Sequence, residues 1–251
     1  MQQAEFDFIR SRLNAPKDVD LLHERCGYEK DMLFNILAKK IVRRVMKDYY
    51  VVKKHERHMH TEWKKGKTLL ELSREVNFPP VLTAKFILEQ EMSAKKFRAL
   101  LCEPEKAPSA RLKKELAEVI ANDFVYSPSS NKSQAEHGRK GEGGIETWLK
   151  KEGEEFLTEK EHRVTAEGGK TPDFLLKKPM KVMGETIHWV ESKASFGDGV
   201  EMNRDYKKQV LPYKTKWGKG MIVYWYGLIE ERVPDKDIIY VDREFFRSYK
   251  S

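Results

Sequence analysis

Thr171-Pro172-Asp173-Phe174-Leu175-Leu176-Lys177 and, eighteen residues beyond the aspartate, His188-Trp189-Val190-Glu191-Ser192-Lys193 decide how this chain is read. Residues 173–177 form an apolar run led in by a proline, a residue that suits the start of a strand. Pro179 to Met183 reads as a short continuation, and Gly184-Glu185 can turn the chain back. Thr186 to Val190 then runs straight into Glu191. Side chains along a strand alternate faces, so Glu191 and Lys193 project to one side and Ser192 to the other. A paired strand lies only ~4.8 Å away, which lets Asp173 sit beside them.

This pattern has the layout of a metal-dependent phosphodiesterase. The carboxylates of Asp173 and Glu191 and the backbone carbonyl of Ser192 are hard oxygen donors of the kind Mg²⁺ or Mn²⁺ takes. Such an ion polarises a phosphoryl oxygen and acidifies water, and Lys193 is placed to position the water and offset charge on phosphate. In a chain with 35% charged residues, Glu-x-Lys by itself also describes an ordinary surface strand.

The motif has company. Thr171-Pro172-Asp173-Phe174, the run His188 to Asp198, and Val223-Tyr224-Trp225-Tyr226-Gly227 resemble the codanin-interacting nuclease family, named also for its TPD motif and placed among the PD-(D/E)XK nucleases. The resemblance is dense over residues 171–228 and thinner upstream. It implies a restriction-endonuclease-like mixed sheet flanked by helices, related to archaeal Holliday-junction resolvases and preceded by helix-turn-helix modules. It further implies an acid lent by the first helix of the nuclease domain. Glu142 matches that position, and Glu146 lies one turn later on the same face. Gln209 and Tyr213, four residues apart, resemble the Gln/Tyr pair that some related nucleases carry behind the Glu-x-Lys strand. Two segments depart from the family: His60 to Thr68, where animal members carry a longer insert, and Gly199 to Gln209.

The 251 residues suffice for one large domain or two modest ones. No apolar run approaches the ~18 residues of a membrane span, no secretory leader pattern opens the chain, and Cys26 and Cys102 make no disulfide framework. The expectation is an intracellular protein: nuclear and cytoplasmic from a eukaryote, cytoplasmic from an archaeon or bacterium. The net charge of +8 is unevenly spread. Lys39 to Lys67 holds 11 basic residues against 3 acidic ones, an electrostatic footprint for a polyanion. Lys39, Lys40, Arg43, Arg44 and Lys47 crowd one side of a helix expected from Lys30 to about Tyr50, and Lys53 and Lys54 follow. Phe34, Leu37, Ala38, Ile41, Val42, Val45 and Met46 make its apolar stripe. These seven cations are the expected nucleic-acid contacts. His55, His58 and His60 lack an accompanying Cys-x-x-Cys pair and read as phosphate contacts or exposed residues rather than a metal site.

Thr68–Val76, a break at Asn77-Phe78-Pro79-Pro80, and Val81–Glu91 outline a helix-turn-helix, or equally an ordinary helical hairpin. Residues 18–50 repeat the outline. Ser127 to Ser133 reads as a linker, which sets a helical basic region at 1–126 and a nuclease-like domain at 135–251. The fold class expected is α followed by α/β. Met202 to Trp217 is a helix, kinked at Pro212. Met221 to Tyr226 is a central strand, apolar on both faces, Ile238–Val241 an edge strand, and Phe245-Phe246 a closing helix. The function expected is hydrolysis of phosphodiesters in nucleic acid, DNA first. The alternative is a non-catalytic DNA-binding adaptor that stabilises a codanin-like chromatin-assembly scaffold. Resolvase-like relatives commonly dimerise, so the resemblance also admits a homodimer.

Overall fold

The computed structural model describes residues 1–165 and 170–249. The helices in chain order are α1 (Gln3–Arg12), α2 (Pro16–Cys26), α3 (Lys30–Lys53), α4 (Glu56–Lys64), α5 (Leu69–Glu75), α6 (Pro80–Leu88), α7 (Ala94–Cys102), α8 (Ala110–Ala121), α9 (Pro128–Lys151), α10 (Glu159–Thr165), α11 (Gly199–Asp205), α12 (Leu211–Trp217) and α13 (Arg243–Ser248). The strands are β1 (Phe156–Thr158), β2 (Phe174–Val182), β3 (Glu185–Lys193), β4 (Met221–Tyr224) and β5 (Ile239–Val241). A helical N-terminal half precedes a five-stranded mixed sheet flanked by helices, as the fold class expected from sequence requires. By contact the chain divides into two compact units, Met1–Leu37 with Glu136–Ser251, and Ala38–Ala135.

The sheet runs β1-β2-β3-β4-β5, with β1, β2 and β3 antiparallel and β3, β4 and β5 parallel. The β2–β3 turn is Met183-Gly184, both at positive φ (51° and 83°). Two such residues make the mirror-image turn whose twist matches paired strands. Pro179 lies in β2 where the register with β3 shifts between Leu175 and Met180, which is where a strand tolerates a missing N–H. The β4 residues Met221 to Tyr224 are all buried, as its two-faced apolar sequence predicts. Ile145 and Leu149 of α9 pack on the sheet with Phe174, Val190 and Val223.

The first 37 residues pack with the sheet. Phe6 stacks on Phe196 with ring centroids 5.5 Å apart, and the Phe196 N–H donates to Asn35 Oδ1 at 2.7 Å. A linker-based boundary differs from this grouping because composition marks where a chain changes character, not which helices its ends pack against. The expected linker itself is helical. Ser127 Oγ accepts from the Ser130 N–H at 3.2 Å and Pro128 opens α9; serine at the cap with proline first in the helix is a start signal. The apolar stripe of α3 also needs correction. Phe34 and Met46 are exposed, while Leu33, Ile36, Leu37, Val45 and Val52 are buried. Since α3 contributes residues to both units, one stripe does not describe its whole length.

The second unit has its own core, in which Met59 and Trp63 of α4 join Leu69, Leu72, Phe86, Ile87, Leu116 and Val119. Thr68 caps α5 reciprocally with Glu71, which fixes the start of the helix-turn-helix outline. Buried Glu115 accepts from Trp63 Nε1 at 2.8 Å and Arg111 Nε at 2.6 Å, so its charge is paired.

Candidate active site

Asp173 immediately precedes β2, and Glu191 and Lys193 end β3, so the hairpin brings the three together. The Asp173 N–H donates to Glu191 Oε2 at 3.2 Å, and the Ser192 N–H donates to Asp173 Oδ2 at 2.7 Å. Each strand end thus supplies a backbone donor to the carboxylate of the other. Lys193 Nζ donates to Glu191 Oε1 at 2.7 Å and to Gln209 Oε1 at 2.6 Å. Ser192 faces the other way, its Oγ accepting from Trp225 Nε1 at 2.9 Å. The alternation expected of β3 accounts for both contacts.

Electrostatics follow from burial. Asp173 is pushed up to about 7, first by desolvation and then by the charge of Glu191, with a further contribution from Glu142. Glu191 is also raised by desolvation, against the pull of Lys193. Burial alone would lower Lys193, but the Glu191 charge and hydrogen bond, with Asp205 and Asp173 behind them, hold it above the ordinary lysine value. It stays an ammonium. Buried Glu191 and half-buried Asp173 beside one cation leave a formal negative imbalance, which suits a hard divalent cation. Among the described residues no group of three His, Cys, Asp or Glu side chains is disposed to hold a metal.

Gln209 reaches Lys193 from a π-helical turn, Tyr206–Val210, between α11 and α12. Such turns displace one side chain from the α-helical register and recur at functional sites. The helix expected from Met202 to Trp217 is divided by this turn into α11 and α12, just ahead of Pro212. Proline cannot donate to the Lys208 carbonyl, and Lys170 Nζ donates to it instead at 2.5 Å. The Tyr213 hydroxyl donates to the Thr171 carbonyl at 2.8 Å and its ring packs edge-on to Trp189. It braces the chain two residues before Asp173.

Glu142 is exposed on α9, in electrostatic range of Asp173. Glu146 instead pairs with Lys150 at 2.6 Å. In the second unit Arg44, Lys47, Lys53 and Lys54 are exposed, whereas Lys39, Lys40 and Arg43 are half-buried.

Sequence reasoning missed Trp225 and Gly141. A Cβ on Gly141 would stand 2.4 Å from Trp225 Nε1 and 2.9 Å from Ser192 Oγ, so α9 approaches β3 and β4 only because this position is bare. The signal was faint: a tryptophan in an all-apolar strand needs a partner for its N–H. Asp205 was missed as well. It is buried, accepts from Tyr224 Oη at 3.0 Å, and supports the charge of Lys193.

Fold and site define an α+β domain that carries an acid–acid–lysine centre, half-buried around buried Glu191, at the end of a β-hairpin. The family model described as "Protein of unknown function TPD sequence-motif" matches residues 108–244, and the chain belongs to that TPD-motif family. It is similar to "CDAN1-interacting nuclease 1" of Mus musculus, 35% identical over 188 residues, which cover 70% of this chain and 66% of that protein. For the Homo sapiens protein the identity is 34% over the same shares. For that of Gallus gallus it is 31% over 180 residues, 65% of this chain and 58% of the relative. The match thus spans less than two thirds of these relatives' own length. No solved structure matches.

Proposed function

We propose that the chain is a metal-dependent nuclease that hydrolyses phosphodiesters in nucleic acid, with DNA as the first substrate to test. The observation that carries this is the Asp173–Glu191–Lys193 cluster, in which a half-buried and a buried carboxylate each accept from a backbone N–H at the other strand's end and the buried one holds the lysine at 2.7 Å. The names of the relatives support it. Asp173, Glu191 and the Ser192 carbonyl would hold Mg²⁺ or Mn²⁺. When bound, such a cation supplies charge to polarise a phosphoryl oxygen and acidify water.

The chain's own residues do the rest. Lys193, kept protonated by Glu191, is an unsuitable base. It presents N–H donors to the attacking water or to a phosphate oxygen, where charge accumulates during displacement. Gln209 holds the ammonium on a fixed heading, so little reorganisation accompanies reaction. Tyr213 and the Asp173 backbone bond to Glu191 keep the two carboxylates in register. Glu142, at the exposed edge, would add a carboxylate on the solvent side. The basic residues of α3, with Lys53 and Lys54, would hold the polyanion.

The test is cleavage of labelled single-stranded, duplex, flap and four-way-junction DNA and the corresponding RNA, with and without Mg²⁺ or Mn²⁺. Metal-dependent product that disappears in Asp173→Asn is the expected result; a folded protein that cuts none of them overturns the proposal. The name of the relatives favours one further role, engagement of a codanin-like scaffold partner. Retained partner binding by Asp173→Asn would separate that role from hydrolysis.

A further inference from the structure

A cleft of about 230 Å³ opens in the second unit at the turn between α5 and α6. Ile41 of α3, Leu70 of α5 and Pro79 of the turn give it apolar walls, and Arg44 and Arg74, both exposed, line it as well. Arg44 Nη1 donates to Asn77 Oδ1 at 3.4 Å, and Asn77 carries the turn at φ 49°. The one acid in the lining is Asp123, and it is buried. Its carboxylate accepts from the N–H groups of Val81 at 3.0 Å, Val125 at 3.1 Å and Tyr126 at 2.8 Å. That charge is taken up inside the fold, so the two guanidinium groups set the sign of the cleft.

Arginine forks beside an apolar recess recognise an anion joined to a flat or ring-shaped apolar group. A phosphate alone would leave the apolar walls unused; a nucleoside phosphate engages both. In a duplex the phosphates stand outward while the bases are stacked and paired, so only an unpaired strand can offer the two parts together. The 11 basic residues against 3 acidic ones between Lys39 and Lys67 favour an extended polyanion over an isolated acidic side chain of a peptide. We propose that this cleft takes one unpaired nucleotide of a nucleic-acid strand, its phosphate at Arg44 and Arg74 and its nucleoside against Ile41, Leu70 and Pro79. This rests on the reading of the basic region as a nucleic-acid surface and is independent of the hydrolytic centre.

The experiment is fluorescence anisotropy of the full chain, in EDTA to prevent cleavage. The probes are a labelled single strand of roughly 20 nucleotides and a blunt duplex of the same length, each over a series of salt concentrations. Arg44→Ala and Arg74→Ala are each expected to weaken single-strand binding about tenfold and to reduce the salt slope by about one. Duplex binding by Arg74→Ala, which lies outside the basic run of α3, should stay within about twofold of the parent. Arg74→Lys, which keeps the charge and loses the fork, should fall between. Thermal melting confirms that the variants fold. Equal losses on both probes in Arg74→Ala would mean a general charge contact and overturn the proposal. If neither arginine variant changes binding while Lys47→Glu/Lys53→Glu/Lys54→Glu does, the cleft falls and the nucleic-acid surface stands. If the unmodified chain binds neither probe, both fall. Binding of a labelled phosphopeptide, with no binding of either oligonucleotide, also overturns it.

Discussion

The backbone N–H of Asp173 donates to Oε2 of Glu191 at 3.2 Å, which ties one carboxylate to the main chain that carries the other. This contact keeps two acids together in a buried place where neither is comfortable charged. Holding the two charges there costs stability.

The cost has a sign in pH. Asp173 titrates near 7 in the folded chain, against an ordinary 3.8, so the folded state holds the proton more tightly than the unfolded one. Stability should therefore fall as pH rises from about 4 to 7 and stay reduced above. Asp173→Asn removes the charge and can still accept from the Ser192 N–H. In metal-free buffer at pH 8 it should stabilise the chain by roughly 2 kcal/mol, with little difference at pH 4. Urea melts at the two pH values check this; a destabilised Asp173→Asn at pH 8 would contradict it.

Three side chains joined by hydrogen bonds should act as a unit. Glu191→Gln, Lys193→Ala and the double variant are each expected to lower metal-dependent cleavage by about 10³-fold or more, with the double no worse than the worse single. Isothermal calorimetry divides the roles. Glu191→Gln should lose Mn²⁺ binding, whereas Lys193→Ala should keep it and lose turnover.

Glu142 and Glu146 share a helix but not a circumstance, since Glu146 pairs with Lys150 and Glu142 acts on Asp173. Cleavage should fall more than about tenfold in Glu142→Gln and less than about twofold in Glu146→Gln. Parent-like rates for both would return Glu142 to the surface.

Glycines two apart in α9 should respond in opposite directions. Gly143→Ala meets nothing within 4 Å and should stabilise by about 0.5–1 kcal/mol through helix propensity. Gly141→Ala places a methyl against Trp225 and Ser192 and should cost about 2–3 kcal/mol by overpacking. Chemical denaturation of both variants measures the contrast.

Lys47, Lys53 and Lys54 are exposed. Their joint reversal to Glu should weaken nucleic-acid binding by at least about tenfold and flatten its salt dependence by about three units of slope, with little sequence preference. Anisotropy titrations across salt test it.

The sequence by itself determined the β2–β3 hairpin, the positions of β4 and β5 and the face that Glu191 shares with Lys193, though not β1, because alternation and apolar runs along a strand are local properties. It determined the start of α5 through the Thr68–Glu71 box and the charge surplus of residues 39–67 for the same reason. Four matters were decided only by the tertiary structure. They are the packing of Met1–Leu37 with the sheet, the π turn that aims Gln209 at Lys193, the bare Gly141 that admits Trp225, and the depth that raises Asp173 to about 7. Each depends on which surfaces meet after the chain has folded. Packing and desolvation are properties of the neighbours in space, and no spacing along the chain encodes them.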